Sequence, residues 1–358
     1  MYVVEKSKCS GCLACKEICP VGAIDVIEDE EGFQYPQINE KKCINCGKCR
    51  RLCAVKREKV DFQKKPITII GAKVKEEQER MTSRSGGAFM AMADYILKEK
   101  GIVYGCKLGR NLEVYHARAT NKEEVNEFKG SKYVKSNLKN VYHEVKEDLR
   151  NHKKVLFSGT GCEIAGLKTA LNEMDTKNLY TCDVICFGVP SPLIYQEYIR
   201  FMEEKEKDKI INIDFRDKSL GWSTHNETLV FRKKKVTTDS YAKLFGSCYA
   251  LRPSCYHCQF TNMDRVSDIT IGDFWGIDKE NKEFNDERGV SIILVNTEKG
   301  TELLEHILDM TNWITVHNEN YLQPRLQFPS LKPNDREAFW KDYKENGFEY
   351  IMKKYIEI

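Results

Sequence analysis

The chain has 358 residues, 41% hydrophobic and 31% charged, with 57 basic against 54 acidic side chains and a formal net charge of +3. That length suits two or three domains. The balanced charge, with no aromatic residues interleaved in runs such as Lys41-Lys42 and Lys233-Lys234-Lys235, argues against nucleic-acid binding. No apolar run approaches the ~20 residues of a membrane-spanning helix, so no membrane span is expected.

Eight of the fifteen cysteines fall within the first 53 residues. Cys9, Cys12, Cys15 and Cys19 lead into Pro20, and Cys43, Cys46, Cys49 and Cys53 lead into Ala54. Both runs spell C-x2-C-x2-C-x3-C, the spacing of bacterial two-cluster ferredoxins. Three closely spaced thiolates curl around one cube of iron and sulfide, and the fourth, thrown onward, reaches the other cube. Cys9, Cys12, Cys15 and Cys53 are therefore expected at one 4Fe-4S cluster, and Cys43, Cys46, Cys49 and Cys19 at a second. A zinc module would part its two C-x2-C pairs by a longer loop and lacks a third cysteine at the same pitch. An oxidised cube with its four thiolates carries about −2, so the loaded protein is expected to be neutral or slightly acidic. Cysteines at cluster spacing suit a reducing cytoplasm, and their start at residue 9 leaves no expected room for a signal peptide.

Between the two runs, Ala23–Ile27 and Phe33–Ile38 read as a hairpin of two short strands, completing a ferredoxin domain over residues 1–62. Pro66 marks a linker, after which strands and helices alternate. Ile67–Val74 reads as a strand, Ala88–Lys100 as a helix stopped by Gly101, Ile102–Lys107 and Glu113–Ala119 as strands, and Leu138–Arg150 as a helix. Val155–Ser158 is a short buried strand feeding a helix through Leu171, and Tyr180–Cys186 is another before a helix from Ser191. Ile210–Phe215, Thr228–Val236, Ser267–Ile271 and Val290–Asn296 complete the expected strands, and a charged amphipathic helix runs from Asn334. The pattern predicts an α+β protein: a ferredoxin domain fused to a larger mixed α/β domain. Its parts are expected at 67–150, 151–330 and a charged helical tail at 331–358.

Of the remaining cysteines, Cys255 and Cys258 form a C-x2-C pair, and Cys162 stands at a strand-to-helix turn where backbone N–H groups stabilise a thiolate. Cys182 and Cys186 lie four apart in one expected strand, hence on one face, and compete for one place in a third cluster. Two glycine-bearing turns, Ser83-Arg84-Ser85-Gly86-Gly87 and Ser158-Gly159-Thr160-Gly161, open helices where a phosphate could meet N–H groups. Neither matches a dinucleotide or Walker pattern.

Taken in order, the segments RSGGAF, GSKYVKS, VLFSGTGC, CDVICFGVPSP, LRPSCYHCQF and DITIGDFWG resemble the coenzyme F420 hydrogenase/dehydrogenase beta-subunit family over about residues 75–300. The resemblance implies a flavoprotein with a third 4Fe-4S cluster, held by Cys162, Cys186, Cys255 and Cys258, that passes electrons between clusters and a hydride carrier. It places FAD at Ser85, Gly86, Gly87, Ser131, Lys132 and Tyr133; Gly159 and Thr160, in the second glycine-bearing turn, are further candidate cofactor contacts. It also implies a redox partner, either ferredoxin or another part of a hydrogenase/dehydrogenase complex, and a small-molecule hydride acceptor, coenzyme F420 or another organic compound. The alternative is a relay subunit with no substrate of its own. Candidate acid or electrostatic residues are Lys132, His257, Glu163 and Asp273. The chain departs from the family where GTGCE replaces GTPCQ and where Phe187 replaces a histidine, changes that bear on the acceptor more than on the clusters.

Overall fold

The computed structural model describes residues 1–56, 61–63 and 65–357; residues 57–60 and 64, at the expected junction, lie outside them, as does residue 358. In the cysteine-rich part, the strands β1 (Ile24–Glu28) and β2 (Gln34–Ile38) pair antiparallel, Ile24 opposite Ile38. Two four-residue helices, Ala14–Glu17 and Lys48–Arg51, lie within the cysteine runs and carry Cys15 and Cys49, each entered through a left-handed residue, Leu13 and Gly47.

The strands of the larger part are, in chain order, β3 (Thr68–Val74), β4 (Ile102–Leu108), β5 (Val114–Ala119), β6 (Val155–Thr160), β7 (Leu179–Val184), β8 (Ile210–Asp214), β9 (Glu227–Phe231), β10 (Lys235–Thr238), β11 (Ile269–Asp273), β12 (Ser291–Val295) and β13 (Thr311–Thr315). Eight of them form one mixed sheet in the order β13-β3-β12-β11-β7-β6-β4-β5. The middle strands β4, β6, β7 and β11 are parallel, and the flanks are antiparallel. Strands from both sides of residue 150 share this sheet.

The apolar period of two explains the layering. Val103, Leu156 and Ile269 face helices Ala88–Lys98 and Glu298–Leu308, whereas Ile102, Tyr104, Val155 and Phe157 face helices Val141–Arg150 and Gly161–Ala170. Cys12, Ala14 and Ala54 of the ferredoxin part are packed into that second layer. The strands β8, β9 and β10 make a separate three-stranded antiparallel sheet, which builds a third core with helix Pro192–Glu206.

Two expectations change. The segment Thr228–Val236 is a hairpin, because the charged run Arg232–Lys234 turns the chain between β9 and β10. The strand expected over Tyr180–Cys186 ends at Val184, so Cys182 and Cys186 do not share a strand face. The charged amphipathic helix expected from Asn334 runs over Arg336–Asn346 and Phe348–Ile351, and its apolar face buries Phe339, Trp340, Phe348 and Ile351 in the third core. Its charges coat a packed element.

Candidate iron–sulfur and flavin sites

All fifteen cysteines are free thiols, and the fold gathers eleven of them into three groups, with Cys46 joined to the second by its place in the sequence. Cys9, Cys12 and Cys15 are buried, and the Cys12 thiol, raised to about 12 by burial, also feels Cys9, Cys53 and Cys162. Cys53 is raised by burial and then by Cys9 and Cys49. The first group is thus Cys9, Cys12, Cys15 and Cys53. Cys49 is raised by burial and by Cys19 and Cys43, which marks the second. The backbone N–H of Ala23 donates to Cys19 Sγ at 3.2 Å and that of Asn45 to Cys43 Sγ at 3.4 Å. Cys46, in the same turn, is exposed.

The third group forms where parallel strands end. Thr160 of β6 lies opposite Val184 of β7, and Cys162 and Cys186 each follow two residues later. This is the carboxyl edge of the parallel strands, where open α/β sheets place their ligands. Cys255, in the short helix Pro253–His257, and Cys258, just after it, complete the group. Burial raises all four thiols, Cys255 to about 11 and Cys258 to about 12, and Cys186 is further raised by Cys255, Cys162 and Cys258. Cys182 instead pairs within the sheet with Ser158 and Ile269, is 0% exposed, and feels Asp183 and Asp268. It is a core residue. Among the described residues no three His, Cys, Asp or Glu side chains are gathered as around a single metal ion. A cube spreads its thiolates wider than one ion does, and the donor sets fit cubes.

The first and third groups are neighbours. A Cβ on Gly166, in the helix that Cys162 opens, would lie 2.7 Å from Cys12 Cβ, so only glycine lets the ferredoxin part approach this closely. Arg265 fixes the loop after Cys258: it donates to Phe260 O at 2.6 Å and pairs with buried Asp183 at 2.6 Å.

Glu163 is not free for proton transfer. Burial alone would raise it, but Lys135 at 2.5 Å and then His116 outweigh that and hold it near about 2. It also accepts from Thr160 N–H, closing a capping box at the start of its helix. Thr160 thus serves the cap, with its Oγ1 3.2 Å from Cys162 Sγ. His257 is exposed beside the third group.

The cavity that brings two motifs together has a volume of about 360 Å3, within the range of small-molecule pockets. Arg84, Lys129, Ser131, Lys132, Arg216 and Lys218 line it. Arg84 Nη1 and Arg216 Nε are buried without a hydrogen-bond partner among the described residues, donors suited to an anion such as a phosphate. Burial lowers Lys132 to about 8 and Lys218 to about 7. Beside Arg216, Trp222 and Trp275 stack at 5.2 Å, with His225 against Trp275, a flat aromatic shelf.

Ser85, Gly86, Gly87 and Tyr133 do not line this cavity. Ser85 donates to Asp273, which also pairs with Arg84 at 2.7 Å. Gly86 is wedged against the Ala72 carbonyl, and Gly87 precedes helix Ala88–Lys98. Tyr133 stacks on Phe245 and accepts from Arg216 Nη1. Sequence reasoning missed Lys135, whose segment Gly130–Ser136 runs from the cavity to Cys162, and missed Arg84, Arg216 and Lys218. Lys135 and Arg84 did stand inside quoted motifs; Arg216 and Lys218 belong to a segment without one.

Residues 152–320 match the family model for the C terminus of the coenzyme F420 hydrogenase/dehydrogenase beta subunit, and residues 8–56 match the 4Fe-4S dicluster domain. The chain is 22% identical over 333 residues to a subunit of the F(420)H(2) dehydrogenase of Methanosarcina mazei, covering 86% of this chain and 90% of that one. It shares its fold with a chain of the F420-reducing [NiFe] hydrogenase complex from Methanosarcina barkeri: TM-score 0.51, 17% identity, 81% of this chain and 91% of that chain.

Proposed function

Because the chain joins a 4Fe-4S dicluster domain to a coenzyme F420 hydrogenase/dehydrogenase beta-subunit domain, we propose that it is an iron–sulfur flavoprotein oxidoreductase linking ferredoxin-type clusters to a hydride acceptor. The observation that carries this reading is the succession of the second, first and third cysteine groups, followed by the cationic cavity. Each adjoins the next: Cys49 feels Cys19 and Cys53 feels Cys49, Cys12 feels Cys162, and Lys135 at Cys162 shares its segment with Lys132 in the cavity wall.

The three groups of four cysteines would hold 4Fe-4S cubes, and the cavity and its shelf would hold part of an FAD. When bound, cubes pass single electrons and the flavin pairs two for hydride transfer to coenzyme F420 or another organic acceptor. The chain's residues supply the setting. Burial of Cys9, Cys12 and Cys15 keeps water from the first group and the third is half-buried, while exposed Cys46 turns the second group toward a redox partner, ferredoxin or another part of a hydrogenase/dehydrogenase complex. Arg84, Lys129, Lys132 and Arg216 offer positive charge to phosphates. Lys132 also donates to the carbonyls of Glu127, Lys129 and Gly130 and so orders the cavity rim, while Asp273 orients Arg84. His257, exposed beside Cys258, is the remaining acid candidate.

The relatives are named as subunits or come from a complex, which favours a second reading: an electron-transfer subunit without its own substrate. Iron, sulfide and flavin analysis of one anaerobically purified sample separates the two. About twelve iron atoms and one FAD per chain support the flavoprotein; about eight iron atoms and no flavin leave only the relay.

A further inference from the structure

Arg252 is 1% exposed, and its guanidinium lies between the first and third cysteine groups. Its backbone belongs to the third: Arg252 N–H donates to Val189 O at 3.0 Å, and Cys255 N–H donates to Arg252 O at 2.8 Å. Its side chain belongs to the first. Nε donates to Cys9 O at 2.7 Å, Nη2 donates to Gln34 O at 3.0 Å, and the guanidinium stacks 4.1 Å from the Tyr35 ring centre. A Cβ on Gly11 would lie 2.8 Å from Nη1, so the cation abuts the loop between Cys9 and Cys12. Nη1 is buried and has no hydrogen-bond partner among the described residues. The same charge acts on Cys162 and Cys255.

Among the described residues no carboxylate accounts for this cation: its two hydrogen-bond acceptors are backbone carbonyls. A buried, unpaired guanidinium is costly unless an anion stands near it. The two anions the fold would place there are cubes carrying about −2 each.

We propose that Arg252 is a positioning residue that clasps the first cluster to the third and sets the potentials of both. This rests on the reading that both cysteine groups hold cubes. A fixed positive charge stabilises the reduced, more negative state of a neighbouring cube, and so raises its potential. One cation between two cubes also weakens their mutual repulsion when both are reduced. Arg252 itself forms no bond and keeps its proton.

The test is anaerobic redox titration followed by electron paramagnetic resonance on the full-length protein, with Arg252→Gln and Arg252→Lys. Iron content is measured on every sample. With iron at the native level, Arg252→Gln should shift the midpoints of the first and third cubes to more negative values, leave the second less affected, and be reversed in large part by Arg252→Lys. Native midpoints in a fully loaded Arg252→Gln protein overturn the proposal. If Arg252→Gln fails to load, a loaded Arg252→Lys protein with native midpoints supports the role of charge, and failure of both overturns it in favour of shape. A native protein with only about eight iron atoms overturns the underlying cluster reading instead.

Discussion

Cys162 and Cys186 leave two adjacent parallel strands at the same level, because Thr160 and Val184 are paired across the β6–β7 ladder. Cys182, four residues earlier, is paired with Ser158 inside the sheet. Cys186→Ser is therefore expected to lower iron content by about four atoms per chain, one cube. Cys182→Ser should leave iron unchanged and cost about 1–2 kcal/mol, by burying a hydroxyl in an apolar layer. Equal iron loss in the two variants would contradict the assignment.

The ferredoxin part is fastened to the C-terminal helix by Glu31 and Arg336, whose Nη1 donates to Glu31 Oε1 at 2.8 Å while Nε donates to Tyr256 Oη at 2.9 Å. Removing one partner of a largely buried pair strands the other. Arg336→Ala should destabilise the protein by about 3 kcal/mol in denaturant titration, with faster proteolytic release of the cysteine-rich segment. Unaltered stability and unaltered proteolysis would show that this contact does not hold the two parts together.

Gly86 separates a packing role from a phosphate-binding one. An added Cβ would meet the Ala72 carbonyl oxygen at 2.1 Å and Ser291 N at 2.7 Å, both backbone atoms of neighbouring strands. Gly86→Ala is expected to cost on the order of 3 kcal/mol in stability, whether or not flavin is present. Gly130→Ala, with φ +76° and nothing within 4 Å, should cost only about 1 kcal/mol. Thermal melts of the two variants give the ranking.

What the sequence discloses follows the range of the interaction. Cysteine spacing is a local rule, and the short hairpin, the helix Ala88–Lys98 and the parallel strands carry their periods within a few residues. The end of β7 is another matter. Ile185 and Cys186 continue the apolar run, and only the pairing limit at Thr160 and Val184 stops the strand. Arg252, Arg84 and Arg216 owe their positions to contacts across as many as 243 residues, as in the Arg252–Cys9 bond, which no local pattern encodes. Gly86 reads as a phosphate-turn glycine because its neighbours in space, Ala72 and Ser291, are distant in sequence.

Lys132 gives the cavity a pH dependence. Burial lowers its ammonium to about 8, so its charge is present at pH 7 and mostly gone by pH 9. Affinity for FAD, if phosphates meet this wall, should fall severalfold over that interval, as read by reconstitution of flavin-stripped protein. The linkage to folding runs the other way. A lysine lowered from 10.5 binds fewer protons folded than unfolded, so its contribution to stability grows as pH rises from about 8 to 10.5. FAD affinity that is flat from pH 7 to 9 would remove Lys132 from the binding wall.

The three cysteine groups differ in how far they lie from solvent: Cys9, Cys12 and Cys15 of the first are buried, the four cysteines of the third are half-buried, and Cys46 of the second is exposed beside half-buried Cys43 and Cys49. A group open enough to face a protein partner is equally open to dioxygen. Damage in air should therefore proceed from the outside inward, with the cube of Cys19, Cys43, Cys46 and Cys49 the first to lose iron, as timed Mössbauer or iron-release measurements would resolve. The inner cubes would then survive intact but cut off from their donor, so an air-exposed sample would lose its traffic with partner proteins well before it lost its colour.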